Sequence, residues 1–99
     1  MRLTREQVAG VRRAVTETFG DGGEVWLFGS RVDDRGRGGD IDLYIESEGT
    51  PAELLDRELR LYARLQAELG EQKIDLIVRS RGRPESAVGR EAKGRGVRL

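Results

Sequence analysis

Two amphipathic segments with helical spacing alternate along the chain with short apolar segments of strand length. Each amphipathic segment opens with a capping box, whose N-caps are Thr4 and Thr50. The strand-like segments lie at residues 24–28, 40–46 and 73–79. Residues 86–93 and 97–99 are predicted to add a short helix and an edge strand. This order predicts an α+β fold, a small β-sheet covered by helices mostly on one face.

The length and the composition set the size of the core. The chain has 99 residues, of which 36% are hydrophobic, and this predicts a single domain spanning residues 1–99. Eighteen basic side chains balance eighteen acidic ones, so a binder held to nucleic acid by bulk positive charge is not expected. No apolar run approaches the roughly 20 residues that cross a bilayer. The polar N-terminus predicts that there is no signal peptide, which points to a cytoplasmic protein.

The absence of two residue types narrows the chemistry. The chain has no cysteine and no histidine. This removes disulfides, thiolate zinc sites and cysteine nucleophiles, together with the commonest general base and transition-metal ligand. Carboxylates, hydroxyls, arginines and the backbone remain. A metal bound by such a set is expected to be a hard cation such as Mg²⁺.

Charge is distributed unevenly along the chain. Residues 40–58 contain seven acids and one base, whereas residues 79–99 contain seven bases and two acids. The asymmetry suggests a basic edge that meets a polyanion or an acidic partner. A solvated, arginine-rich surface explains the same pattern equally well.

A glycine and a serine follow the first predicted strand directly. Gly29 allows a ligand to come close to the backbone, and Ser30 adds a hydroxyl. Arg31 adds a planar donor suited to phosphate oxygens. The segment is therefore a candidate triphosphate-binding loop, although glycine and serine are also ordinary turn residues.

The second predicted strand carries two carboxylates on one face. Asp40 and Asp42 are two residues apart, so their side chains share a face while Ile41 points to the other. A divalent cation would relieve their repulsion and use both as ligands. An acidic, solvent-facing strand that also includes Glu46 is the alternative. The site requires this face to be free of helices.

The third predicted strand contains Asp75 among apolar residues. A carboxylate buried there needs a cation, which can be an arginine or a metal shared with Asp40 and Asp42. Three carboxylates can hold two Mg²⁺ ions about 3.5–4 Å apart. One ion would bind a triphosphate and the other would activate an attacking hydroxyl. Asp75 would then lie closest to that hydroxyl, as metal ligand and proton acceptor.

Together these residues resemble a known signature. Phe28-Gly29-Ser30, a nine-residue spacer, Asp40-Ile41-Asp42-Leu43 and the later Asp75 are similar to the motif of the DNA polymerase β-like nucleotidyltransferase superfamily. The segment 29–31 and the C-terminal residues 91–99 resemble the minimal nucleotidyltransferases of prokaryotes in particular. The resemblance covers nearly the whole chain.

The resemblance implies a fold, an activity and a partner. The fold of that superfamily is a mixed sheet flanked by helices. Its members transfer a nucleoside monophosphate from a nucleoside triphosphate to a hydroxyl. By similarity, Gly29 and Ser30 would hold the β- and γ-phosphates. Asp40 and Asp42 would bind both metals, and Asp75 the catalytic one. Minimal members commonly pair with a helical HEPN protein. In many such pairs the HEPN protein is a toxin and the enzyme is a type VII-like antitoxin, which attaches AMP from ATP to a toxin tyrosine.

The sequence is also compatible with two other functions. The chain could neutralise a partner by contact alone, without catalysis, or it could transfer a nucleotide to a small molecule. Nucleic acid is not expected as a direct substrate, because aromatic platforms for stacking bases are scarce. A partner or a second copy is expected to supply the other wall of the cleft. Trp26 is predicted to lie in the core, and Tyr44 to have a structural hydroxyl or to flank the nucleotide.

Overall fold

The computed structural model describes residues 3–29, 41–70 and 72–99 of the chain. Within these ranges, helices and strands alternate in the predicted order. The elements are α1 (Arg5–Phe19), β1 (Glu24–Phe28), β2 (Ile41–Ser47), α2 (Pro51–Leu69), β3 (Ile74–Ser80), α3 (Ala87–Arg95) and β4 (Val97–Arg98). No helix in these ranges is long and apolar enough to span a bilayer.

Both capping boxes form as the sequence predicts. The Thr4 hydroxyl accepts a hydrogen bond from the Gln7 N–H at 3.0 Å, and the Gln7 side chain accepts one from the Thr4 N–H at 2.9 Å. The corresponding distances at Thr50 and Glu53 are 3.2 and 2.9 Å. These bonds satisfy N–H groups that the first turn of a helix leaves without partners, so α1 and α2 begin where the sequence places them.

The four strands form one mixed sheet in the order β3-β2-β1-β4. β1 is antiparallel to both β2 and β4, and β2 runs parallel to β3 because α2 crosses over between them. The predicted α+β fold, a small mixed sheet flanked by helices, is confirmed. The third strand begins at Ile74 and ends at Ser80, one residue later at each end than predicted.

The main core lies between the sheet and the helix pair α1–α2. The inward side chains of β2, Ile41, Leu43 and Ile45, are completely buried. They meet Val11 of α1 and Leu61 of α2, which are also inaccessible to solvent. The strict alternation in β2 therefore places its apolar side chains on this face and its polar side chains on the opposite face.

Among the described residues one helix packs on the opposite face of the sheet, so the expectation of a helix-free face is wrong there, although Asp75 on the same face stays exposed. α3 packs on it through Ala92 and forms a second, smaller core with Trp26 and Tyr44. Trp26 is thus buried as predicted, although in this second core rather than the main one. The helix covers the face over β1 and β2 because glycine and alanine on its inner side allow close approach.

The Tyr44 hydroxyl has a structural role, which is one of the two roles predicted for it. Tyr44 is 1% exposed and donates a hydrogen bond to Glu46 Oε2 at 3.0 Å. Burial, strengthened by this bond to a carboxylate, raises the pKa of Tyr44 to about 12. Lys93 reaches the same Glu46 oxygen at 2.6 Å and Glu85 at 3.0 Å, and the bond to Glu46 raises its pKa further above the ordinary value. The buried ring cannot flank a nucleotide.

Two glycines of α3 are expected to respond oppositely to alanine. A Cβ at Gly89 would lie 2.8 Å from the Tyr44 hydroxyl oxygen, whereas a Cβ at Gly94 would meet nothing within 4 Å. Because Tyr44 is buried and cannot move aside, Gly89→Ala should lower the free energy of unfolding by about 1–3 kcal/mol. Gly94→Ala should raise it by about 0.4–1 kcal/mol through helix propensity. Urea unfolding measures both, and equal effects would contradict the packing of α3 on Tyr44.

The Tyr44 environment also predicts how stability depends on pH. The pKa of Tyr44 in the folded chain lies above its ordinary value of 10.0. Its contribution to stability is therefore complete below pH 10 and is lost as the pH rises from about 10 to about 12. Since the chain has two tyrosines, the variant Tyr62→Phe leaves Tyr44 as the one phenol to titrate. Its phenolate absorbance should appear with a midpoint near 12, and a midpoint near 10 would show that the ring is not buried.

Candidate active site

Two of the predicted carboxylates lie side by side on neighbouring strands. Asp42 of β2 and Asp75 of β3 are direct partners in the parallel register. Their side chains therefore share a face of the sheet, on strands about 4.8 Å apart. This is the face opposite the main core, because the neighbours Ile41 and Ile74 are buried beneath α1 and α2. The sequence predicts this convergence, and the strand register produces it.

Asp75 is not the buried acid that its apolar surroundings suggest. It is the second residue of β3 and is exposed, so the cost of burying an unpaired charge does not apply to it. Asp42 is the more enclosed of the two and is half-buried. The pair therefore combines one carboxylate held in the body of the sheet with one accessible from solvent.

Gly29 brings the end of β1 against Asp42. The last residue of β1, Phe28, is the antiparallel partner of Asp42, and Gly29 then turns the chain with φ of +79°. A Cβ at this position would overlap the Asp42 Oδ2 atom. Glycine is therefore required here twice, by its left-handed backbone and by the space that the carboxylate occupies.

The remaining predicted site residues lie outside the described ranges. They are Ser30, Arg31 and Asp40. The roles assigned to them, phosphate binding for the first two and metal binding for Asp40, stay predictions. Within the described residues no cluster of three or more metal-ligating side chains occurs. The geometry that bears on the site therefore comes from Gly29, Asp42 and Asp75.

The described part of the site fits a hard divalent cation. Both side chains are carboxylates, the oxygen ligands that Mg²⁺ prefers. Two carboxylates in direct register repel each other when both are ionised, and a cation between them removes that repulsion. The missing side chain at Gly29 leaves room for the Asp42 carboxylate itself, which is one of these two candidate ligands.

Several basic residues near the C-terminus are paired within the chain. Arg98 contacts Glu24 at 3.0 Å, and Arg81 reaches another oxygen of Glu24 at 2.9 Å. Lys93 and Arg98 also lie over the Trp26 ring, 5.3 and 5.5 Å from its centroid. These cations help to hold α3 and β4 on the sheet. The acidic partners Glu24 and Glu46 are far away in sequence, so the charge pattern alone could not reveal this role.

Comparison with known proteins assigns the chain to a family. The nucleotidyltransferase domain family matches residues 8–95. The matched region contains the three described site residues and the three predicted ones outside the described ranges. No curated protein and no solved structure matches the chain significantly. The family match spans most of the sequence, and the fold that it implies is the one observed: the chain belongs to the nucleotidyltransferase domain family.

Proposed function

We propose that the chain is a Mg²⁺-dependent enzyme that transfers a nucleoside monophosphate from a nucleoside triphosphate to a hydroxyl group. The observation that carries this proposal is the direct register of Asp42 and Asp75 beside the Gly29 turn. Nucleotidyl transfer needs acidic ligands for divalent metal next to a backbone that a triphosphate can approach. Membership of the nucleotidyltransferase family supports the same chemistry.

Each site residue has a role in this proposal. Asp42 and Asp75 would hold the metal together with Asp40. Bound metal supplies charge neutralisation on the triphosphate and lowers the pKa of the attacking hydroxyl. Asp75 is exposed, so an acceptor can reach it, and its carboxylate would take the hydroxyl proton. The acceptor oxygen forms a bond to the α-phosphorus, the bond to the bridging oxygen breaks, and pyrophosphate leaves.

The loop after β1 would bind the rest of the nucleotide. Gly29 and Ser30 are assigned to the β- and γ-phosphates, and Arg31 to a further phosphate contact. A Cβ at Gly29 would overlap the Asp42 carboxylate, so glycine here keeps a candidate metal ligand in place next to the proposed phosphate-binding segment.

We further propose that the acceptor is a tyrosine of a HEPN-type toxin and that the donor is ATP. The chain would then act as an antitoxin that inactivates its partner by attaching AMP. The motif spacing that resembles minimal nucleotidyltransferases supports this assignment. The exposure of Asp75 also supports it, because a side chain presented by another protein can reach its carboxylate.

Substitution of either aspartate tests the activity. Asp42→Asn and Asp75→Asn each retain the size of the side chain and remove a charged ligand. Each should lower transfer of the labelled α-phosphate of ATP to the partner by at least about 10³-fold, since each removes a metal ligand. The assay uses Mg²⁺, each nucleoside triphosphate in turn and the co-expressed product of the adjacent gene.

The exposed Asp56 of α2 supplies the matched control. It pairs with Arg60 at 3.1 Å on the helix surface, so Asp56→Asn should leave transfer unchanged. Mass spectrometry should place the added AMP on a tyrosine of the partner. Label transfer that survives Asp42→Asn would contradict the proposed site. Loss of labelling with intact neutralisation of the partner would show that contact alone suffices.

A pair of glycines with the same backbone angle separates strain from chemistry. Gly29 and Gly70 both have φ of +79°, but a Cβ at Gly70 would meet nothing within 4 Å. Alanine at either position should cost about 1–2 kcal/mol of stability because of the left-handed backbone. Gly29→Ala alone should also weaken Mg²⁺·ATP binding, by about tenfold or more, because its Cβ would displace the Asp42 carboxylate. Calorimetric titration of both variants would reveal the difference, and equal binding would contradict the role of Gly29.

A further inference from the structure

The outer edge of the sheet adjoins an exposed apolar stripe on α2. β3 is the last strand on its side of the sheet. On α2, Leu55, Leu59 and Tyr62 are 57%, 63% and 45% exposed, and their spacing places them along one side of the helix. Exposed large apolar side chains that cluster in this way mark interaction surfaces.

The stripe lies on the side of α2 that faces β3. The opposite side of the helix contacts α1, where Glu68 accepts a bond from Arg13 at 3.1 Å. Leu55 instead lines a groove together with Val78 and Ser80 of β3. The stripe and the strand edge therefore meet at Leu55, in a groove that Glu58, Arg79 and Arg83 also line.

The outer backbone groups of β3 are not paired with any strand of the described residues. The Ile41 N–H donates to the Lys73 carbonyl, and the Arg81 N–H donates to the Ser47 carbonyl, both at 3.0 Å. Odd-numbered residues of β3 thus direct their backbone groups toward β2. The even-numbered residues from Ile74 to Ser80 direct theirs outward, where no strand of the described chain lies. An uncovered strand edge of this kind is a template for pairing.

We propose that a second copy of the chain pairs with β3 in antiparallel fashion about a two-fold axis at Ile77. This is the register in which the whole of β3 pairs with itself, and it joins the two sheets into one of eight strands. The outward backbone groups of Leu76 in one copy would meet those of Val78 in the other. Such self-complementary contacts are the usual basis of two-fold dimers.

Charge complementarity selects this register. Asp75 and Arg79 lie on the same face of β3, about 13 Å apart along the strand, too far to pair within one copy. Arg79 lies beside Glu46 of β2 in the parallel register, but neither Asp75 nor Arg79 forms an ion pair with a described residue of its own chain. In the proposed register Asp75 of each copy lies opposite Arg79 of the other. An axis at Leu76 would instead place Arg79 opposite Lys73, two like charges.

The helical side of the surface agrees with the same axis. Leu55 lies beside Val78 and Ser80, and Leu59 lies about 6 Å further along the helix. Because α2 runs in the direction opposite to β3, this distance corresponds to about two residues toward the start of the strand. Leu59 would therefore lie about level with Ile77. The axis would therefore bring Leu59 of one copy against Leu59 of the other, with Leu55 facing Tyr62. The stripe that is exposed in one copy would be covered in the dimer.

The pairing would give each copy a role in the other's site. Arg79 of the second copy would lie beside Asp75, where its positive charge could contact a bound triphosphate or hold the carboxylate when metal is absent. This consequence rests on the proposed function, whereas the pairing itself does not. The pairing can be tested by the mass of the assembly and by cross-linking, and both measurements remain informative whether or not the chain transfers nucleotides.

Size-exclusion chromatography coupled to light scattering measures the molecular mass of the chain in solution. The expected mass is twice the 11.1 kDa of one copy. Arg79→Glu places four acidic groups around the axis and should weaken the dimer by about tenfold or more. The double variant Asp75→Arg/Arg79→Glu restores the opposite charges and should restore the dimer. A monomer at tens of micromolar, or a dimer indifferent to Arg79→Glu, would overturn the proposal; circular dichroism verifies that each variant is folded.

Single cysteines test the register itself, since the chain has none of its own. At the axis, the Cα atoms of a non-hydrogen-bonded pair lie about 4.5 Å apart, within reach of a disulfide. Ile77→Cys should therefore form a disulfide-linked dimer on mild oxidation. Ser80→Cys is the control on the same strand, because its two copies would lie about 20 Å apart. Equal cross-linking of the two variants, or none at Ile77→Cys, would exclude this register.

Discussion

The parallel register between β2 and β3 is the constraint on which the site depends. It sets Asp42 opposite Asp75, and α2 maintains it by crossing over from the end of one strand to the start of the other. A shift of one residue would turn one of the two carboxylates into the main core, because alternate residues of a strand face opposite sides. Ile41, Leu43 and Ile74 oppose such a shift, since all three are buried beneath the helices. The apolar packing on one face thus fixes the acidic pair on the other.

The polar face of the sheet is divided between structure and chemistry. Near Tyr44 and Glu46 this face is covered by α3. Lys93 of α3 pairs with the Glu46 carboxylate, which would otherwise lack a cationic partner among the residues described there. Toward Asp42 and Asp75 the described residues supply no corresponding cation for Asp75, which faces solvent. One strand, β2, therefore carries a carboxylate paired with Lys93 beneath α3 and, four residues earlier, a candidate metal ligand. Their different surroundings, rather than their residue type, separate the two roles.

The sequence predicts the fold well because its local signals agree with one another. The capping boxes at Thr4 and Thr50 and the alternation in β2 each specify an element without reference to distant residues. The position of α3 is not accessible in the same way, because it depends on the contact between Gly89 and Tyr44, which are far apart in the chain. The exposure of Asp75 is not predictable from the sequence either, since apolar neighbours in the chain do not reveal that a strand lies at the edge of its sheet. The convergence of Asp42 and Asp75 was predictable once both were assigned to strands.

Two glycines determine how closely other groups approach the polar face of the sheet, one near Tyr44 and one near Asp42. At Gly89 the missing side chain lets α3 settle on the Tyr44 hydroxyl, which closes that end against solvent. At Gly29 the missing side chain leaves room for the Asp42 carboxylate. A β-carbon at the first position would lift a helix away from the sheet, whereas one at the second would displace a candidate metal ligand. The same residue type therefore permits the packing of a helix at one end and the placement of a carboxylate at the other, and the difference follows from what lies opposite each glycine.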